Sequence, residues 1–370
     1  SGGTTYKALV VPGARLMPAD VLAKLLDLAK EGATVVFLDQ YPEDVPGYAG
    51  LERRRTEFKR TLEQIKKLGN ERGKDQTVFF GTDYVRTLAQ TAAIPEAMKT
   101  SFDLSCIRRK NTEGYHYFIS ALTGKDTESW IPLAVPARSA MLYNPMNGSS
   151  GKALLRQKDG KTEVYLQLAS GESAILKTFT EADVQVPEWK YQTVAQGTVE
   201  LSGLWSLRFV ESTPAVHSVP DSVSLGSWTD LSFEGAGTTM GTGCYTTAFA
   251  IENPASAQDW QLSLGDVRES ARVRINGREV ATLWAVPYCC PIGQYLRPGK
   301  NILEIEVTNL PANRIADMDR RGVKWRIFKD INIAALGYKK GTYAGWEPVP
   351  SGLLGPVRII PLKITKNEMQ

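Results

Sequence analysis

Between Asn313 and Trp346 the sequence gathers side chains suited to holding a sugar. Asn313, Arg314 and Asp317 offer directed hydrogen bonds to hydroxyl groups, while Trp325, Tyr343 and Trp346 offer flat apolar faces that match the C–H face of a pyranose ring. Trp284 and Tyr288, earlier in the chain, complete the candidate set. Breaking a glycosidic bond asks for more: two carboxyl groups several ångströms apart, one of them protonated. Asp317, Asp319, Asp330 and Glu347 are at hand, but four acids over roughly thirty residues are what chance supplies, so no catalytic residue is assigned. Asp317 and Asp319 with nearby backbone carbonyls also offer a place for calcium, which prefers such oxygens, although no EF-hand spacing supports it.

Each aromatic has a rival reading as packing. Trp205 and Trp284 fall in alternating strands and read as core residues. Trp325, Tyr343 and Trp346 fall in a long stretch, Arg314 to Pro350, that reads as an irregular excursion between strands. A loop of that length is either functional or covers another surface.

Other chemistries are poorly supplied. Cys106, Cys244, Cys289 and Cys290 match no zinc spacing, and His116 and His217 are the only histidines, so no metal site of the Cys/His type is expected. Adjacent Cys289 and Cys290 point to opposite faces of a strand; a bridge from Cys244 to one of them competes with buried free thiols. Pro12-Gly13-Ala14 follows the first strand where a dinucleotide site would carry its glycines, and Asp39 alone does not replace them. The glycine-rich run from Gly235 to Gly243 lacks the Lys-Ser/Thr pair of a phosphate cradle and reads as a loop between strands. Basic residues exceed acidic ones by only four and are scattered, which gives no reason to expect nucleic acid. No apolar run approaches the roughly 20 residues that span a bilayer. Ser1-Gly2-Gly3 opens no signal peptide and reads as a linker or cloning scar.

The elements that must position these residues follow from periodicity. Residues 1–103 read as a small doubly wound α/β domain: Tyr6 to Gly13 as a central strand buried on both faces, a helix from Pro18 to Lys30, a strand at Thr34–Leu38, a charged helix from Leu51 to Leu68, a strand near Val78 and a helix from Tyr84. Residues 104–194 read as a β-sandwich module of short strands, with Lys152–Gln157 as one of them and an Asp-Gly turn at Asp159-Gly160. Arg108 and Arg109 at its start read as solvated, or as reaching a neighbouring acidic cleft. Residues 195–370 read as an antiparallel sandwich. Its clearest part joins Ala271–Ile275 through Asn276-Gly277 to Glu279–Trp284, and then Arg297-Pro298-Gly299-Lys300-Asn301 to Ile302–Val307.

That last order of pieces carries a resemblance. The strand and turn sequence from Leu262 to Asn309, with its Asn276-Gly277 and Pro298-Gly299 turns, resembles the galactose-binding-like sandwich of multidomain glycoside hydrolases. Asn309-Leu310 through Asn313-Arg314 and the tail Pro350-Ser351-Gly352-Leu353-Leu354-Gly355-Pro356-Val357 resemble the C-terminal part of the family 106 α-L-rhamnosidases, with Pro311 where a Trp is common. Sugar-binding domains of family 2 enzymes share much of the turn pattern. The resemblance implies that the first domain is flavodoxin-like or amidotransferase-like, follows a catalytic barrel and is structural; no Cys nucleophile occurs before Cys106. It implies a periplasmic or extracellular enzyme acting on a rhamnose-containing or other plant-type glycan, with its catalytic acids in a barrel that this sequence lacks. The expected role is bracing that barrel and contacting glycan; an independent carbohydrate-binding module and a purely structural or interaction protein are the alternatives.

Overall fold

The computed structural model describes residues 6–71, 73, 75–326 and 341–365. The chain begins with β1 (Leu9–Val11), α1 (Ala19–Lys30), β2 (Val35–Leu38), α2 (Leu51–Asn70), β3 (Val78–Gly81) and α3 (Tyr84–Leu88). The three strands are parallel in the order β1-β2-β3. Helix α1 turns Leu22, Leu25, Leu26 and Ala29 inward, and α2 adds Phe58 and Ile65, so the two helices pack on one another and on Val35, Phe37 and Val78. Here the expectation for β1 is corrected. β2, whose Val35, Val36 and Phe37 are at most 1 % exposed, holds the centre, while Leu9 and Val10 stay about 40 % open at the sheet edge. An apolar run specifies a strand but not its neighbours.

Helix α4 (Ala97–Ser101) leads into β4 (Ser105–Lys110), β5 (Gly114–Ser120), β6 (Thr127–Pro132), β7 (Ser139–Tyr143), β8 (Ser150–Lys152), β9 (Leu155–Lys158), β10 (Lys161–Leu168) and β11 (Ser173–Phe179). They form two antiparallel sheets, β4-β5-β11-β7-β8 and β6-β10-β9, over a core that includes Tyr117, Ile119, Ile131, Val164, Leu166 and Leu176. The run Lys152–Gln157 is two strands rather than one. Ala153 N–H still bonds Ala140 in the first sheet, whereas Leu154 C=O already accepts from Tyr165 in the second, so the chain changes sheets there. Arg108 is not simply solvated: its guanidinium pairs with Glu96, which is almost fully buried and also accepts from Ala134 N–H at 3.0 Å. That pair ties the α4 junction to the sheets.

The rest of the chain comprises β12 (Tyr191–Val194), β13 (Val199–Glu200), β14 (Ser206–Thr213), β15 (Met240–Ile251), β16 (Asp259–Ser263), β17 (Asp266–Arg268), β18 (Ser270–Ile275), β19 (Arg278–Leu283), β20 (Cys289–Pro291), β21 (Gly299–Thr308), α5 (Ala312–Arg320), β22 (Gly352–Gly355) and β23 (Arg358–Thr365). One sheet runs β14-β15-β21-β18-β19; the other runs β12-β23-β16-β20 with β13 also on β23; β17 and β22 form a short pair. Trp205, Trp228, Val273, Ile305, Leu262 and Ile359 are among the side chains buried in this part's apolar core. The chain therefore has the expected order, α/β first and all-β after it. The four cysteines are free, with Cys244 and Cys290 buried and Cys289 partly so.

The two turns that stood out in the sequence are clamped to each other. Asn276 Nδ2 donates to Asn301 Oδ1 at 2.8 Å and to Tyr295 C=O, while Asn276 Oδ1 accepts from Ile302 N–H. Asn301, fully buried, donates to the carbonyls of Arg297 and Gly299 and accepts from Arg297 N–H at 3.0 Å. These side chains satisfy backbone groups that a tight turn leaves unpaired.

Candidate functional site

The stretch after β21 is not irregular at its start. Pro311 lies just before α5, as a residue without an N–H can where a helix begins, and Asn313 and Ala316 are the buried positions of the helix. Asn313 is 4 % exposed, and its amide exchanges two 2.8 Å bonds with the backbone of Val349. Asn309 does the same work one turn earlier. It accepts from Gly241 N–H at 2.9 Å, donates to Thr239 C=O at 3.0 Å, and reaches Ser351 Oγ at 3.2 Å. Ser351 N–H in turn donates to Ser227 Oγ, and its carbonyl accepts from Trp228 N–H at 2.8 Å. Both ends of the 309–351 segment are thus strapped to the sandwich by buried amides and hydroxyls.

Beyond α5 the aromatic residues come together. The Trp325 and Tyr343 rings lie 6.3 Å apart and the Tyr343 and Trp346 rings 4.4 Å apart. The Arg326 guanidinium lies 5.2 Å from the Trp325 centroid and 4.9 Å from that of Tyr343. One carboxylate organises them. Asp319 accepts from Trp325 Nε1 at 2.7 Å, Tyr343 N–H at 2.8 Å, Thr342 Oγ1 at 3.2 Å and Arg326 at 3.3 Å. The Tyr343 backbone bond, followed by that from Trp325, holds its carboxyl below the ordinary aspartate value. Trp346 remains 48 % exposed, with its N–H turned to Tyr343 C=O.

A group with a lowered folded-state pKa adds stability that is complete above its ordinary value and lost as pH falls through the folded one. Tryptophan fluorescence at 325 and 346 is therefore expected to stay constant above the ordinary aspartate value of 3.8 and to change as pH drops below it. Asp319→Asn, which cannot match those donors, is expected to show the altered signal at neutral pH and no acid step.

The sequence candidates thus divide. Trp325, Tyr343 and Trp346 form one cluster. Tyr288 is 7 % exposed, and its hydroxyl donates to Glu269 C=O at 2.6 Å, so its face is packed in the sandwich core instead of open to a ligand. Asn313 is spent on the strap, and Arg314 and Asp317 face each other at 2.9 Å with both side chains about 15 % exposed. Trp284 is corrected in the other direction. Expected in the core, it is 65 % exposed: it lies just past the end of β19, two positions on from exposed Thr282, whereas Ala281 and Leu283 are the residues that pack on the core. Asp330 lies outside the described residues.

Asp319, Arg326 and Thr342 were missed as partners of the aromatic rings. A signal existed for Asp319: a carboxylate in the last turn of a helix faces the negative end of its dipole and must find donors elsewhere. Among the described residues no group of three or more His, Cys, Asp or Glu could hold a metal ion. The oxygens of Asp317 and Asp319 point at guanidinium, indole and amide donors, a set that does not suit calcium.

Residues 1–157 match the glycoside hydrolase family 106 model, described as alpha-L-rhamnosidase. The chain contains a rhamnosidase-like glycoside hydrolase region. The rhamnosidase structure from Novosphingobium sp. PP1Y shares its fold, with a TM-score of 0.57 and 23 % identity over 96 % of this chain. A curated relative from Formosa agariphila, named "Putative beta-glucuronidase", is 31 % identical over 179 residues, 44 % of this chain. The chain spans 33 % of that rhamnosidase structure and 15 % of that curated relative. No helix among the described residues is long and apolar enough to cross a membrane.

Proposed function

We propose that this chain is the C-terminal, non-catalytic portion of an α-L-rhamnosidase-like glycoside hydrolase. It braces an upstream catalytic barrel of the same polypeptide and presents the Trp325–Tyr343–Trp346 cluster to glycan. Three buried apolar clusters support a division into three domains, taken at 1–103, 104–194 and 195–370, with Met98 of the junction already packed in the second cluster and the last domain a galactose-binding-like jelly roll. The parent enzyme is periplasmic or extracellular and acts on a rhamnose-containing glycan.

One observation carries this reading: in the segment richest in sugar-binding residue types, Asp317 and Asp319 are engaged by donors while the Trp346 ring stands half open. Asp317 is held by Arg314 and Arg321, and Asp319 by four donors, so neither is placed to give or take a proton. Trp346 offers a half-exposed face. That same open ring favours a second reading, a freestanding carbohydrate-binding module, which needs no barrel.

The test is turnover. The isolated chain is expected to release no product from an aryl α-L-rhamnoside above a buffer blank. Release that scales with protein concentration and vanishes in Asp319→Asn or Glu347→Gln would place a catalytic pair here and overturn the proposal.

A further inference from the structure

The aromatic cluster is built in part from a basic stretch, residues 312–326, and we propose that it takes an anionic saccharide, one bearing carboxylate or sulfate groups, in preference to a neutral one. This rests on the reading of the cluster as a glycan platform. Residues 312–326 carry Arg314, Arg320, Arg321, Lys324 and Arg326 against Asp317 and Asp319, a formal excess of three positive charges that exposed Glu347, beside Trp346, lowers by one, where the whole chain of 370 residues has only +4.

The pairing shows which cations are already spent. Arg314 is consumed by Asp317 at 2.9 Å, and Arg326 by Asp319 and by stacking on Trp325 and Tyr343. Arg321 touches Asp317 only at 3.4 Å and keeps a side chain that is 61 % exposed. Lys324 is exposed and, among the described residues, has no ion pair. Arg320 is the informative one. It is exposed, and its Nε donates to Ala344 C=O at 3.1 Å, in the turn between Tyr343 and Trp346. That bond holds Arg320 at the turn that carries the two rings, and among the described residues its terminal N–H groups have no other partner. A guanidinium beside an open aromatic face suits a sugar ring with an acidic substituent: the ring stacks, and the paired N–H donors meet the anion.

The experiment is calorimetric titration of the full chain with size-matched oligosaccharides at low and high salt: a neutral rhamnose-containing one, an oligouronide and a sulfated one. At low salt an anionic sugar is expected to bind roughly tenfold tighter than the neutral one, with the advantage shrinking as salt screens the exposed cations. The double variant Arg320→Gln/Arg321→Gln is expected to remove the preference and keep neutral binding, and the oligouronide and sulfate arms tell which anion is meant. Equal affinity for neutral and anionic sugars at both salts, or a preference that survives the double variant, overturns the inference but leaves the glycan platform standing. Absence of binding by all three sugars removes the platform and the inference with it.

Discussion

Gly352→Ala is expected to destabilise the C-terminal sandwich by roughly 3–5 kcal/mol, from overpacking of a closed core together with left-handed backbone strain. Gly352 has φ +95°, and a Cβ there would collide with Trp228 Nε1 and lie 2.6 Å from the Tyr245 hydroxyl. Neither neighbour can yield. Trp228 and Tyr245 are at most 1 % exposed, their side chains are joined by a 2.5 Å bond, and the Tyr245 hydroxyl also accepts from Leu353 N–H at 3.2 Å. Burial pushes the Tyr245 hydroxyl up to about 12, so it stays a neutral donor and acceptor throughout the working range. A chemical denaturation curve followed by tryptophan fluorescence reads the loss. An alanine variant within about 1 kcal/mol of the parent would mean that β22 does not lie against Trp228 as described.

Asn301→Ala is expected to cost roughly 2–4 kcal/mol, because it empties a fully buried position and leaves several part-buried polar groups without a partner at once. The carbonyls of Arg297 and Gly299, the N–H of Arg297 and the amide of Asn276 all lose a partner. Asn276→Ala removes the other half of the same clamp. The double variant is therefore expected to lose clearly less than the sum of the two single losses, whereas distant sites would add. Melting of the three variants provides the cycle. Strict additivity would contradict a clamp shared between the turns.

These two residues also show what the sequence makes legible. Asn276-Gly277 and Pro298-Gly299-Lys300-Asn301 are local signals, since each turn's backbone demands particular residues, and the strands that flank them lie within a few residues of their expected bounds. The tail motif was recognisable as a pattern, but its reason was not. Gly352 is required by Trp228 and Tyr245, which are more than a hundred residues away in sequence. Strand order was equally hidden: the apolar run of β1 specifies a strand, and only pairing with β2 shows it to be an edge.

The candidate site follows the same division. The residue types that could hold a sugar were visible as a composition of the segment, and three of the rings do meet. That Asp319 must find donors was legible only from its place at a helix end, and which donors was not, because they come from positions 325, 326, 342 and 343, brought back by the chain. Asn313 and Arg314 looked like ligand contacts because hydrogen-bonding side chains in a loop serve either purpose. Only their partners show otherwise: Val349 takes Asn313 into the strap, and Asp317 pairs with Arg314 within α5.

The most direct test of the central claim is binding by the isolated chain. Titration with rhamnose-containing oligosaccharides is expected to give weak, saturable binding that Trp346→Ala abolishes while its melting midpoint stays within a few degrees of the parent, as suits a half-exposed ring. Binding that survives Trp346→Ala unchanged, or none at millimolar sugar, would contradict a glycan role for the cluster and leave it as packing against another domain.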